Sequence, residues 1–181
     1  MGESALALDA EIAKYVEAYR RDGYRMSDKR RIPSVDALAR CARGSYLDIG
    51  CGRGEMLREA DALGFSPCVG IDPVRALGHI PAMATSIPFA DGSFDAVSLF
   101  DVIEHLPRGN EVLALAEADR VARLAFVVSA NNQRSRRNGH DLHINIRSYT
   151  EWDSLFRAAW RGQVDRIHDG FSPIWLCMRA F

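Results

Sequence analysis

No stretch limits the possible folds of this chain more than Tyr46-Leu47-Asp48-Ile49-Gly50-Cys51-Gly52-Arg53-Gly54. A short apolar run, Ser45 to Ile49, reads as a strand and passes into glycines at three alternate positions. Glu55 to Leu63 then reads as a helix that Gly64 ends. Alternating glycines let the backbone reverse sharply and come close to a ligand with no Cβ in the way. The helix that follows offers unpaired N–H groups and a partial positive charge at its start. In open α/β sheets, ligands lie beyond the carboxyl ends of the strands, where the strand order reverses.

The rest of the chain fits such a sheet. Cys68 to Ile71 is a second buried strand ending at Asp72-Pro73, Asp95 to Phe100 a strong one, and Leu124 to Ser129 another. A short helix around Val74 to Leu77 and a strand around Pro81 to Ala84 are also expected. Asn110 to Ala122 and Tyr149 to Trp160 read as helices, the second with Thr150 as N-cap. Gln163 to His168 and Ile174 to Phe181 form a hairpin through Gly170 to Pro173. Ahead of the core, apolar residues from Leu8 to Tyr19 fall at helical spacing, with the helix running to Arg21 and Gly23 stopping it. Ser34 would cap a second helix, Val35 to Ala42. The fold class is therefore α/β: a doubly wound, Rossmann-like, mostly parallel sheet with a C-terminal antiparallel hairpin. One domain is expected over residues 1–181, with residues 1–44 as an N-terminal helical lid and 45–181 as the α/β core.

Two nucleotide motifs fit poorly. A dinucleotide fingerprint needs its third glycine at position 55, which is Glu55, and an acid there is a poor neighbour for a pyrophosphate. A P-loop is excluded, because no Gly-Lys-Ser/Thr follows.

The same segment, Tyr46 to Gly54, resembles the first motif of class I S-adenosylmethionine-dependent methyltransferases. Ile87-Pro-Phe-Ala-Asp-Gly-Ser-Phe-Asp-Ala-Val97 resembles that family's approach to its fourth strand. Asp101-Val-Ile-Glu-His-Leu106 resembles the segment leaving it. With Asp72 about twenty residues downstream of the turn, four motifs stand in the right order over Tyr46 to Ser129. The resemblance implies S-adenosylmethionine as cofactor and assigns roles by position. Gly50, Cys51, Gly52 and Gly54 would pass the methionine arm, and Asp48 would position its ammonium. Asp72, followed by Pro73, would accept from the ribose diol. Phe100 and Asp101 would line the pocket. Where the family often has an adenine-binding Asp, this chain has Met83 and then Ala84, so adenine would rely on packing and on the Ala84 backbone.

Other residues carry competing readings. His105 and His143 are the candidate catalytic bases, though the resemblance of Glu104-His105-Leu106 favours a pocket-wall role for His105 and a solvated loop is the favoured reading for His143. Cys51 reads as a small packing residue, and Asp95 as a local hydrogen-bonding group. His140-Asp141-Leu142-His143 has metal-donor residue types, but no acidic cluster accompanies it in sequence, so no metal is expected. Arg134, Arg136 and Arg137 are either solvated surface or a cradle for an anionic acceptor, and Arg25, Lys29, Arg30 and Arg31 carry the same ambiguity. Tyr15, Tyr19 and Tyr24, with Arg31, would either pack the first helix down or close over the cofactor.

Composition excludes several partners. Over 181 residues the formal charge is -1, which demands neither nucleic acid nor membrane. Cys41, Cys51, Cys68 and Cys177 form no CxxC pair. No apolar run nears the roughly 20 residues that span a bilayer. A cytoplasmic protein with reduced thiols is expected, acting on a small-molecule acceptor that an arginine patch suits if anionic. The expected reaction moves a methyl group to an O or N atom of a small-molecule or glycan-like acceptor. Two other classes stay open, a non-catalytic binding module on the same fold and an NAD-dependent oxidoreductase. A nucleic-acid methyltransferase is disfavoured, since no NPPY-type tetrapeptide or broad basic face is present.

Overall fold

Short runs of four to eight residues, apolar in the inner strands, assemble into one central sheet. The computed structural model describes residues 3–20, 25–75 and 79–179. In chain order the elements are α1 (Glu3–Arg20), α2 (Asp28–Leu38), β1 (Tyr46–Ile49), α3 (Glu55–Ala62), β2 (Cys68–Ile71), β3 (Phe94–Leu99), α4 (Asn110–Val121) and β4 (Ala122–Ser129). They continue with β5 (Arg136–Arg137), β6 (His140–Asp141), α5 (Tyr149–Ala159), β7 (Gln163–His168) and β8 (Ile174–Met178). The six-stranded sheet has the order β2-β1-β3-β4-β8-β7. Strands β2, β1, β3 and β4 are parallel, while β8 runs antiparallel to both β4 and β7. This is the expected mostly parallel sheet with an antiparallel C-terminal pair.

Strand alternation divides the core in two. Leu47, Ile49, Val97, Leu99, Phe126 and Val128 face a cluster completed by Leu115 of α4 and by Trp152 and Phe156 of α5. Their neighbours Tyr46, Ala96, Ala125 and Val127 face a second cluster, with Ala37 and Leu38 of α2 and Met56 and Ala60 of α3. A sheet buried on both faces explains why its strands are continuously apolar rather than alternating. After β1 the chain moves to β2 on one side, and β3 lies on the other. The order therefore reverses at the carboxyl end of β1, which is where the glycine turn stands.

Three expectations need correction. The second helix begins at Asp28 with Ser27 as N-cap, seven residues before the expected Val35, and Pro33 lies inside it. Burial of Ser34, Ala37 and Leu38 against the core outweighs the local cost of a proline that cannot donate. Pro81 to Ala84 is not a strand: the neighbourhood makes only the isolated bridges Ile71↔Ile80 and Met83↔Ser86, and Pro81 has no N–H for a ladder. The N-cap of α5 is Ser148 rather than Thr150. Its hydroxyl accepts from the Glu151 N–H while the Glu151 carboxylate accepts from the Ser148 N–H, a reciprocal capping box. Residues 131–141 also carry the short ladder β5–β6. The expected helix around Val74 to Leu77 lies partly outside the described residues, as do the Gly23 stop and Tyr24. Among the described residues no helix is long and apolar enough to cross a membrane.

Candidate active site

The turn after β1 is held by main chain on one side and open to a crevice on the other. The N–H groups of Gly50 and Cys51 both donate to the Ile71 carbonyl at the end of β2, at 2.8 and 3.1 Å. Gly50 has φ +73°, and a Cβ there would stand 2.5 Å from Val102 Cγ2. Gly52 has φ +52°, and a Cβ there would stand 2.5 Å from the Tyr19 hydroxyl. Both positions therefore exclude side chains twice over, by backbone conformation and by space. Gly54, also left-handed, is the N-cap of α3.

Two acids flank this turn. Asp72, 5% exposed, accepts from the Gly52 N–H (3.0 Å) with one oxygen and from the Val74 N–H (2.8 Å) with the other. Each carboxylate oxygen keeps a further acceptor site. Burial raises the Asp72 pKa, against the opposing effect of those two N–H groups. Asp48, 3% exposed on β1, accepts from the Ser98 hydroxyl at 2.7 Å, and Ser98 in turn pairs with the Tyr46 hydroxyl at 2.6 Å. Burial lifts Asp48 to about 7, reinforced by the charge of Asp72 and opposed by the Ser98 hydrogen bond. The Cys51 thiol is buried and pushed up by that burial, which suits packing and not nucleophilic attack.

Beyond the strands lie two adjoining compartments. The first, about 100 Å³, is mainly apolar, with Ile12, Val74, Met83, Val102 and Leu106 around Asp72 and Pro73. The second, about 110 Å³, is polar, with Asp48, Glu55, Arg25 and Arg30 beside Cys51, Gly52 and Phe100. Tyr19, Gly50 and Asp101 line both. The structure thus gathers Asp48, Gly50, Cys51, Gly52, Asp72, Pro73, Met83, Phe100 and Asp101 around one crevice. Ala84 and Gly54 line neither compartment: Ala84 is packed in the core, and Gly54 starts α3.

Residues between β3 and β4 build a second cluster beside the crevice. Asp101 takes a left-handed conformation, φ +59°, with its N–H bonded to the Ser129 hydroxyl at 2.9 Å. An aspartate tolerates that region better than most side chains, and such conformations collect at functional sites. Its Oδ2 pairs with Arg30, and its Oδ1 lies 3.9 Å from His105 Nε2. Glu104, fully buried, takes the Asn131 N–H at 3.0 Å on Oε1. His105 Nδ1 lies 2.9 Å from the Leu142 carbonyl and 2.6 Å from the Tyr15 hydroxyl. His143 packs edge-on to His105, ring centroids 4.8 Å apart, and its Nδ1 lies 2.5 Å from the Gln133 carbonyl. Desolvation, helped by the neighbouring His105, lowers His143 to about 4, so it is an uncharged imidazole and a weak base at neutral pH. A third cavity, about 150 Å³, adjoins this cluster and is lined by Ser135, Arg136 and Arg137 together with Arg30, Asp101, His105 and His143.

Glu104 is the group that the sequence reading did not single out. Arg30 and His143 were candidates whose pairings local pattern does not encode: Arg30 reaches Asp101 because α2 starts early, and Glu104 and His143 meet across a long loop. Arg31 lines neither compartment: it pairs with Asp28 and Glu59. Asp95 behaves as expected, accepting from the Ser45 N–H and hydroxyl at 2.8 and 2.9 Å and pairing with Arg123.

The crevice suits an amino-acid-bearing nucleoside. Bare main chain at Gly50 and Gly52 leaves a passage between an apolar compartment for a base and a polar one for an amino-acid end, and a buried acid with spare acceptor sites closes β2. This fold and crevice define a class I S-adenosylmethionine-dependent methyltransferase. The chain belongs to the methyltransferase domain family, whose model matches residues 18–165. No curated protein matches it in sequence. Among solved structures it is similar to Burkholderia thailandensis 1,6-didemethyltoxoflavin-N1-methyltransferase with bound 1,6-didemethyltoxoflavin and S-adenosylhomocysteine. That likeness has TM-score 0.79 at 16% identity, covering 100% of this chain and 92% of the other. A possible histamine N-methyltransferase of Thermotoga maritima gives TM-score 0.60 at 18% identity, covering 96% and 97%. The magnesium protoporphyrin IX methyltransferase of Synechocystis, with bound S-adenosylmethionine, gives TM-score 0.61 at 14% identity, covering 90% and 88%.

Proposed function

We propose that this chain transfers the methyl group of S-adenosylmethionine to an oxygen or nitrogen atom of a small, anionic acceptor, of free small-molecule or glycan-like type. The observation carrying this reading is the continuity of the two compartments past Gly50, with an arginine-lined cavity on the far side of Asp101 and His105. When bound, the cofactor supplies a methyl group on a positively charged sulfur, already a strong electrophile. The residues need only hold, orient and keep water out, and orientation alone can supply roughly 7–11 kcal/mol in favourable cases.

Each role follows from position. Asp72 takes the ribose diol on its remaining acceptor sites, and Pro73, Val74 and Met83 pack the base. Asp48, in its ionised form, faces the ammonium, and Arg25 and Arg30 face the carboxylate of the amino-acid end. Asp101 and His105 stand between the crevice and the third cavity, where an acceptor reaches the methyl group. Arg136 and Arg137 hold its negative charge. With His143 so weakly basic, His105 is the better-placed group for a proton leaving the acceptor.

Calorimetric titration with S-adenosylhomocysteine, and with NAD as comparison, tests the crevice. Micromolar S-adenosylhomocysteine binding without NAD binding is expected. Asp72→Ala should weaken it at least tenfold with the fold intact, and unchanged affinity would remove Asp72 from the site. Gly52→Val should abolish binding, since the new side chain meets Tyr19 and a strained backbone. The acceptor follows from incubating the protein with labelled cofactor and a metabolite extract and identifying which compound gains the label. A protein that binds cofactor yet labels nothing would be a binding module rather than a catalyst.

A further inference from the structure

We propose that Asp101, Glu104, His105 and His143 bind a divalent first-row transition cation, set between the nucleoside crevice and the arginine-lined cavity. One ligand atom from each of the four lies within 4.8 Å of all the others. Zinc-like cations sit about 2.0–2.2 Å from nitrogen and oxygen donors, so closing around one asks each side chain to move by about an ångström.

The hydrogen bonding of the two imidazoles already suits ligation. A backbone carbonyl can only accept, so the contact of His143 Nδ1 with Gln133 places the proton on Nδ1 of that ring and leaves the lone pair on its Nε2. His105 Nδ1 lies against the Leu142 carbonyl and the Tyr15 hydroxyl, which turns its Nε2 end toward the cluster. Metal-ligating histidines are oriented in this way, with the far N–H fixed by a carbonyl or carboxylate. The His105 Nε2 end is the one that approaches Asp101 Oδ1.

The carboxylates supply a second, independent sign. Glu104 is fully buried; its Oε1 is used by the Asn131 N–H, while its Oε2 has no hydrogen-bond partner. Asp101 Oδ1 is likewise buried without one, since Arg30 is held by the other oxygen. Buried carboxylate oxygens without partners are costly and rare. A cation at the centre of the cluster would satisfy both at once.

Charge fits as well. A divalent ion set between two carboxyl groups and two imidazoles would face Arg136 and Arg137 across the third cavity, a setting for an anionic oxygen ligand. Mixed imidazole and carboxylate donors favour zinc, iron, cobalt or manganese over magnesium or calcium. The site stands on these four residues; its use in holding the acceptor oxygen rests on the methyl-transfer reading above, with the bound ion, in place of His105 acting as base, assisting loss of the acceptor proton.

The full-length protein, stripped with chelator, is titrated with Co²⁺ alone and followed by calorimetry and visible absorption. One equivalent with ligand-field bands is expected, weakened at least tenfold in His143→Gln and in Asp101→Asn. A second readout uses no variant. Zn²⁺ should move the Nε2 resonances of two of the five histidines while their Nδ1 resonances stay protonated. Absence of heat and bands up to millimolar Co²⁺, equal binding in folded His143→Gln, or perturbation of histidines other than His105 and His143 would overturn the site. S-adenosylhomocysteine is titrated into the same samples. Normal nucleoside binding without cobalt binding sinks only the metal site, and the converse sinks only the crevice reading.

Discussion

At the scale of single residues, Asp48 makes the sharpest statement. Its carboxyl is lifted from 3.8 to about 7, chiefly by burial. The folded chain therefore keeps a proton that the unfolded chain gives up, and stability falls as pH rises through that interval before levelling off. Asp48→Asn should flatten this fall, as measured by denaturant titrations between pH 4 and 8; an unaltered slope would mean another group is responsible. Because only the ionised form attracts an ammonium, S-adenosylhomocysteine should bind more tightly as pH rises from 6 to 8. That gain should vanish in the asparagine variant. Asp48, Asp72 and the glycines were legible in the sequence because each answers a local demand, either a positive φ or an acid at a strand end. Glu104 and Arg30 were not. Their partners, Asn131 and Asp101, stand 27 and 71 positions away, and no spacing rule spans such distances.

At the scale of elements, the inner strands β1 to β4 were read to within two residues, since a sheet covered on both faces writes itself there as apolar runs, whereas the expected strand at Pro81 to Ala84 and the unexpected ladder β5–β6 lie outside that sheet. Helix starts were harder. Ser34 was expected to cap the second helix, yet it sits inside α2 together with Pro33, and that shift turned two arginines from surface charge into partners of Asp101 and Glu59. At α5 both Ser148 and Thr150 have capping chemistry. Glu151 decides for Ser148 because it stands three residues on and can close the box. Ser148→Ala should cost about 1 kcal/mol, read as a melting point lower by roughly 2–4 °C. A melting point unchanged within half a degree would mean that the exposed cap contributes nothing to this helix.

At the scale of the whole molecule, the sheet places every proposed ligand group at one end, where β1 separates chain paths to opposite sides. Two apolar layers hold that end rigid, with Trp152 and Trp175 fully buried in one of them. A ligand that binds only the folded form should stabilise the molecule as a unit. At a hundredfold excess over Kd, S-adenosylhomocysteine should add about 2.7 kcal/mol, and the calorimetric transition should move up without splitting. A split transition would mean that α1 and the sheet unfold separately.

Tyr19 stands at the seam of the two compartments, with its hydroxyl against the Gly52 main chain and its carbonyl bonded to Arg53 at 2.7 Å. We propose that an arriving nucleoside displaces that phenol ring. In rapid-mixing experiments the observed rate would then climb with nucleoside concentration only to a plateau, the frequency at which the ring withdraws. Replacing Tyr19 with alanine should abolish the plateau, so that this aromatic ring, and not collision with the nucleoside, sets the tempo of loading.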